Sequence, residues 1–228
     1  MLDNPPMLTI HRGHARPDAA LIEAFRGAQT SHLVDAMEGR GALDYRVKPM
    51  DPANAAFVGP ALTALAYPAD VVGVYGALAE AQPGDVVMVA NDGYTATAVV
   101  GDIVAGMMKN KGIAAFVTDG VARDRAGIVA AGMPLFAAGI VPNSPAANGP
   151  GVVGAPVTIG GVSVRSGDIV VGDADGVVVI PHDQAAMVLQ RLAAIRVAET
   201  QAIARVEAGV TDTDRIRAIM ASARIIGP

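Results

Sequence analysis

Polar side chains are sparse in this chain, so the places where they gather are where chemistry can occur. Three such places lie at the C-terminal ends of apolar, strand-like runs or at the start of the following helix: Asn91-Asp92-Gly93, Gly101-Asp102, and Asp119-Gly120 with Arg123-Asp124. The C-terminal edge of a parallel sheet is where α/β proteins usually bind ligands. A lone carboxylate in a glycine-bearing loop, such as Asp124, can hold Mg²⁺ or Mn²⁺, because hard cations accept one carboxylate together with waters and substrate oxygens. Arg123 beside it offers a planar fork of donors to a carboxylate or a carbonyl oxygen. Asp102 can move a proton through a water, or it can cap the helix that contains Ile103 and Val104. If it caps, the N–H groups of Ile103 and Val104 face the loop, and a helix start of that kind can bind a carboxylate. Plainer readings stand beside these: Arg123 as a solvated loop arginine, and Asp124 as a surface ion pair with Arg123 or Arg125.

Other chemistries find less support. Schiff-base catalysis needs a desolvated lysine, whereas Lys109 and Lys111 fall in a helix's last turn and Lys48 precedes a proline. The four histidines (His11, His14, His32, His182) form no HxH or HxxxH pair, and there is no cysteine, so thiolate metal sites and cysteine nucleophiles are excluded. GxSxG, GxGxxG and the phosphate-loop pattern are absent. A net charge of −5 without a basic run argues against a nucleic-acid partner. No apolar run is long enough to span a bilayer. The start, MLDNPPMLTI, has neither a basic beginning nor an apolar core, so no signal peptide is read and a cytoplasmic protein is expected. Charged residues make up 17%, below the usual share of about 25%, which favours a surface partly covered by copies of the same chain.

The elements that must position these residues follow from periodicity. Residues 1–17 read as an extended arm. Asp18 is placed to cap a helix over 18–29, and Ser31 a second one ending at Gly39. Residues 41–54 read as loop, AFVGPALTALAYP as strand, and VVGVYGALAEAQ (71–82) as helix. VVMVA (86–90) and IAAFVT (113–118) are continuous apolar runs of the kind buried on both faces. Between them, Val99, Val100, Ile103, Val104, Met107 and Met108 have helical spacing, giving a parallel βαβ unit. That helix starts either near Thr95, with Asp102 inside it, or at Asp102. A strand is expected within 133–140 and a glycine- and proline-rich loop over 143–154. PVTIGGVSV reads as a hairpin, followed by two more strands, a long helix over 183–208 and a short one over 214–223. GDVVMVANDG (84–93) and GDIVVGDADG (167–176) echo one another as two strand-plus-turn units.

GDIVAGMMKNKGIAAFVTDGVARD (101–124) resembles the core motif of the RraA-like family, which includes 4-hydroxy-4-methyl-2-oxoglutarate aldolases: Asp102, twenty residues, then Arg123-Asp124. QPGDVVMV (82–89) and GDIVVGDADGVVVIP (167–181) resemble the family's two strand motifs. Where many members carry a Gly-Gly-Gly-Asp type loop, this chain has Asn91-Asp92-Gly93-Tyr94. The resemblance covers residues 20–200. It implies an α/β fold of the β/β/α swivelling-domain (RraA-like) type, with a parallel βαβ core, β hairpins and a long C-terminal helix. The organisation implied is a single domain over 1–228, with 1–17 as the arm and 183–228 as C-terminal helices, assembled as a homotrimer or hexamer. The activity implied is a class II, divalent-metal-dependent aldolase. It would cleave a 4-hydroxy-2-oxo acid such as 4-hydroxy-4-methyl-2-oxoglutarate to pyruvate, with oxaloacetate decarboxylation on the side. In that scheme Asp124 and waters hold Mg²⁺ (or Mn²⁺), Arg123 polarises the substrate oxygens, and Asp102 helps a metal-bound water move protons. Gly101 and the N–H groups of Ile103 and Val104 hold the substrate carboxylate, and Glu199 contributes from a neighbouring subunit. The alternative is a non-catalytic RraA-like regulator that binds a ribonuclease or another protein. Such regulators tend to lose the acidic residue after the arginine, and Asp124 is present.

Overall fold

A computed structural model describes residues 4–227. In chain order the elements are β1 (Leu8–Ile10), α1 (Ala19–Glu23), α2 (Thr30–Ala36), β2 (Lys48–Pro49), β3 (Phe57–Ala66), α3 (Val72–Glu80), β4 (Val86–Ala90), β5 (Ala98–Val100), α4 (Asp102–Asn110), β6 (Ala115–Thr118), β7 (Val121–Ala122), α5 (Arg125–Ala131), β8 (Leu135–Ala137), β9 (Gly151–Val153), β10 (Val157–Ile159), β11 (Val162–Val164), β12 (Ile169–Asp173), β13 (Gly176–Ile180), α6 (Ala185–Glu207) and α7 (Asp214–Ala221). Nine strands form one mixed sheet in the order β1-β9-β3-β4-β6-β8-β2, with β12 joined to β3 and β13 to β12. The ten-residue β3 links its two parts. Phe57–Pro60 pairs antiparallel with β12, while Ala61–Leu65 pairs parallel with β4. The parallel core is β3, β4, β6 and β8.

The apolar runs are buried on both faces, as their lack of alternation demands. Along β4, Val87 and Val89 enter one cluster with Val74, Ala105, Met108 and Phe116 from the α3 and α4 side. Val86, Met88 and Ala90 enter another, closed by Ile159 and Val164 of the β10–β11 hairpin. A third cluster packs Phe25, just past α1, with Leu33 of α2 and Val188 and Leu192 of α6 against β12 and β13. All four phenylalanines are buried, and Phe57 meets Phe136 edge-to-face at 5.4 Å.

The two echoed segments share a turn. Asp85 accepts from the Gln82 N–H at 2.8 Å and Asp168 from the Arg165 N–H at 2.8 Å, each through Oδ2. The preceding glycines, Gly84 and Gly167, both have positive φ (86° and 97°). A buried carboxylate thus closes each turn before a strand, which explains why Gly-Asp recurs.

Several local expectations change. α1 ends at Glu23, and Asp18 stands at its N-cap position without a side-chain hydrogen bond. α2 begins at Thr30 rather than at Ser31; Thr30 N–H and Oγ1–H both donate to the Asp173 carboxylate at 2.8 Å, so a distant residue satisfies the helix start. Part of the N-terminal arm is a strand, β1, paired in parallel with β9. β9 itself lies in the stretch read as loop and is held on its other edge by β3. Ala98–Val100 is strand, not helix. Among the described residues, no helix is long and apolar enough to cross a membrane.

Candidate functional site

The twenty-residue spacing between Asp102 and Arg123 has a structural cause. β5 and β7 form a short parallel ribbon, with Ala98 opposite Val121 and Val100 opposite Ala122. The chain leaves β5 at Gly101-Asp102 and enters α4; it returns through β6 and leaves β7 at Arg123-Asp124 into α5. The ladder continues one step further, where Arg123 N–H donates to the Val100 carbonyl at 3.0 Å. The starts of two helices are thereby set side by side.

Two glycines permit the approach. A Cβ on Gly101 would lie 2.7 Å from Asp124 Oδ2 and 3.1 Å from Arg123 Nε. A Cβ on Gly127 would lie 2.6 Å from Asp102 Cβ and 2.9 Å from its Cγ. Hence Asp102, at the first turn of α4, packs onto α5, while Arg123 and Asp124 lie over Gly101.

Asp124 is the N-cap residue of α5 and has left-handed backbone geometry (φ 58°, ψ 43°). Few residues other than glycine tolerate this, Asp and Asn among them. Its carboxylate is half-exposed and stands 3.1 Å from Arg123 Nε. Arg123 Nη1 also donates to Ser144 Oγ. Arg125 turns away and donates to the Met50 carbonyl at 2.9 Å, so it anchors α5 and is not the partner of Asp124.

At α4 the N-cap is Gly101 and Asp102 is the first helical residue, which settles both alternatives for the helix start. Asp102 Oδ1 accepts from the Ile103 N–H at 2.7 Å. The expectation that both Ile103 and Val104 N–H groups stand free is therefore corrected: Ile103 N–H is taken by the neighbouring carboxylate. Its side chain is exposed, whereas Val104 packs against the core.

Asn91 and Asp119 form a neighbouring buried group. Asn91 N–H donates to Asp119 Oδ1 at 2.7 Å. Burial pushes the Asp119 carboxyl above the usual carboxylate range, against backbone N–H groups of Asn91, Gly160 and Gly93 that favour its charged form. Asn91 Nδ2 donates to the carbonyls of Ala66 (2.9 Å) and Tyr67 (3.1 Å) and thereby fixes the amide. Gly120 has room for no side chain here, since a Cβ would come 2.7 Å from Asn91 Oδ1. Asn91 and Asp119 tie the β4 end to the β10–β11 turn rather than joining Arg123.

Glu199 lies on α6, half-exposed, with Oε1 3.9 Å from Nε2 of His32 in the same chain. It makes no contact with Arg123 or Asp124 among the interactions of this chain. Sequence reasoning missed Ser144, which stands in an irregular loop with no periodicity, and Gly127, whose one signal is a glycine inside a helical run. It also missed Asp70, a buried carboxylate accepting from the N–H groups of Val72 (2.8 Å), Asn148 (2.6 Å) and Gly149 (2.9 Å).

The family pattern described as Aldolase/RraA (RraA-like) matches residues 30–179, two thirds of the chain. The chain belongs to this family. A family relative from Halalkalibacterium halodurans, provisionally named a 4-hydroxy-4-methyl-2-oxoglutarate aldolase, is 41% identical over 170 residues, 75% of this chain and 80% of that protein. Among solved structures, a Pseudomonas syringae protein superposes with a TM-score of 0.76 at 27% identity, covering 87% of this chain and 97% of that one. RraAS2 of Streptomyces coelicolor, described as an unusual member of the RNase ES inhibitor RraA protein family, gives 0.73 at 28% identity, covering 84% and 100%. The α/β architecture, with its parallel βαβ core, hairpins and long C-terminal helix, is the RraA-like fold.

Proposed function

We propose that this protein is a divalent-metal-dependent lyase that cleaves a 4-hydroxy-2-oxo acid, such as 4-hydroxy-4-methyl-2-oxoglutarate, to pyruvate, and that also decarboxylates oxaloacetate. The observation that carries the reading is the meeting of Asp102, Arg123 and Asp124 across Gly101 and Gly127, together with the 41% identity to an aldolase-named relative. Among the described residues no three His, Asp or Glu side chains gather into a metal cage. The donor set is one half-exposed carboxylate, Asp124, free to share an ion with water. That suits Mg²⁺ or Mn²⁺, which bind through few carboxylates and keep several waters. Bound at Asp124, such an ion would supply Lewis acidity toward the substrate's carboxylate and 2-oxo oxygens.

The remaining work falls to the chain. Arg123 donates to the 2-oxo oxygen as negative charge develops there. The first turn of α4 offers N–H groups and a positive dipole end to the 1-carboxylate. Val104 N–H serves there directly, and Ile103 N–H does so once Asp102 turns to its proton. Asp102, through a water, takes the proton of the 4-hydroxyl; the C3–C4 bond breaks, C4 becomes a carbonyl, and the bond's electrons pass to the pyruvyl half. The proton returns to C3 and completes pyruvate. In oxaloacetate the same electrons are released as CO₂ departs. We place Glu199 of a neighbouring copy at the same site as an acidic contributor. Val197, Ile203, Val206, Ile216, Ile219 and Met220 on α6 and α7 are exposed, which supports a trimer or hexamer in which these helices are covered.

The test is a coupled assay for pyruvate with each substrate, in Mg²⁺ and then in EDTA. Magnesium-dependent pyruvate from either is the expected result. No pyruvate from either substrate overturns the reading. The likeness to RraAS2 favours a second reading, a regulator that binds a ribonuclease. Mg²⁺ titration separates the two, because a regulator has no use for an ion at Asp124.

A further inference from the structure

Resting on the lyase reading, we infer that Ser144 is a positioning residue that sets the orientation of the Arg123 guanidinium. Arginine has five N–H donors in a rigid plane. In this protein Nε faces Asp124 Oδ2 at 3.1 Å, and one Nη1–H is given to Ser144 Oγ. The donors that remain are the second Nη1–H and the Nη2 pair, at the end of the fork. Ser144 therefore fixes which edge of the guanidinium meets a 2-oxo acid. Without it, rotation about the last side-chain bonds would spread the fork over many orientations, since Arg123 is partly exposed.

The loop that carries Ser144 is built to hold a hydroxyl still. Pro142 and Pro145 flank the Asn143-Ser144 pair and fix φ on either side. Asn143 is stitched to the segment that leads into β5: its Nδ2 donates to the Ala96 carbonyl at 2.8 Å, and its carbonyl accepts from Ala98 N–H at 3.0 Å. Further along, the buried Asp70 carboxylate accepts from Asn148 and Gly149 N–H, and Ala146 N–H donates to the Ala69 carbonyl at 2.7 Å. The same stitching thus holds the strand that delivers Gly101 and the loop that delivers Ser144. The site's geometry depends on both.

The experiment uses the full chain in five forms: wild type, Ser144→Ala, Ser144→Thr, Arg123→Ala, and the double variant Arg123→Ala with Ser144→Ala. Pyruvate release is measured alongside hydrogen exchange of the Arg123 Nε–H in ¹⁵N-arginine-labelled protein without substrate. Loss of a hydrogen bond to a charged group predicts a roughly tenfold fall in kcat/KM for Ser144→Ala. Ser144→Thr, which keeps the hydroxyl, should stay within about threefold of wild type. The double variant should be no worse than Arg123→Ala, because a residue that acts through Arg123 has nothing left to position. The Arg123 Nε–H should exchange faster in Ser144→Ala and return to the wild-type rate in Ser144→Thr. Unchanged activity in Ser144→Ala, or losses that multiply in the double variant, would overturn the inference. If wild type yields no pyruvate, the lyase reading falls by itself and the exchange rate alone decides the role of Ser144: faster exchange upholds it and an unchanged rate refutes it.

Discussion

Replacing Gly101 by alanine tests the geometry with one methyl group. The backbone there is extended (φ −135°, ψ −175°), so any residue can adopt it without strain. The effect must come from the Cβ alone, which would stand 2.7 Å from Asp124 Oδ2 and 3.1 Å from Arg123 Nε. Carbon–oxygen contacts are comfortable at about 3.3 Å or more, so the carboxylate must retreat by roughly 0.6 Å and the guanidinium by a few tenths. Both side chains are partly exposed, at 34% and 43%, and can yield into solvent. The stability cost is therefore expected to stay below about 1 kcal/mol, a fall in Tm of no more than about 4 °C. Catalysis is far less forgiving, since a misplacement near 1 Å costs about 100-fold. Gly101→Ala should lower pyruvate release by roughly 10- to 100-fold while the melting curve barely moves. Wild-type activity in this variant would refute the reasoning. So would a loss of activity that comes with a collapse in Tm, because the defect would then be in folding.

Gly127→Ala should behave unlike other helical glycine replacements. A Gly→Ala change inside a helix normally adds up to about 1 kcal/mol of stability, but here the new Cβ runs into Asp102. The melting temperature should fail to rise and activity should drop at least about tenfold, and adding Asp102→Ala should restore the stability gain in part only, because the Cβ that remains at residue 102 still meets the new one at 2.6 Å. Asp70→Ala removes a buried acceptor of three N–H groups and should cost about 3 kcal/mol, read as a lower urea midpoint. Asp119 has its carboxyl raised in the folded protein by burial. Its contribution to stability is therefore greatest at acid pH, below its unfolded value, and is lost as pH rises through the raised folded value. Asp119→Asn should remove that dependence, so its stability relative to wild type should improve from acid toward neutral pH. Equal pH profiles for the two proteins would contradict the assignment.

Much of the scaffold is legible in the sequence, because β4, β6, α3 and the β10–β11 hairpin declare themselves by local pattern. Val86–Ala90 has no polar residue to turn outward, and Gly160-Gly161 fits only a tight turn. The failures have non-local causes. β9 is three residues in a glycine-rich stretch, and its strand character comes from β1 and β3 on either side. Val99 and Val100 match helical spacing with Ile103 and Val104, yet Gly101 breaks the run and β7 draws residues 98–100 into a ribbon. α2 starts where Asp173, far along the chain, satisfies its first N–H. In the site, the spacing of Asp102 and Arg123-Asp124 was readable, and the ribbon of β5 and β7 accounts for it. The roles of Gly127 and Ser144 were not readable, since each depends on what faces it across the fold. The occupation of Ile103 N–H by Asp102 was equally hidden, because it is a choice of side-chain rotamer.

The central claim is that Asp124, set over Gly101 beside Arg123, gives the site its metal and with it the lyase activity. The most direct test is Asp124→Ala, purified at the wild-type assembly state and melting temperature. It would be assayed for pyruvate release from 4-hydroxy-4-methyl-2-oxoglutarate at saturating Mg²⁺, with Mg²⁺ binding followed by calorimetry. Loss of both activity and binding is the predicted result. Substantial pyruvate release, or unchanged Mg²⁺ binding, from the folded variant would contradict it.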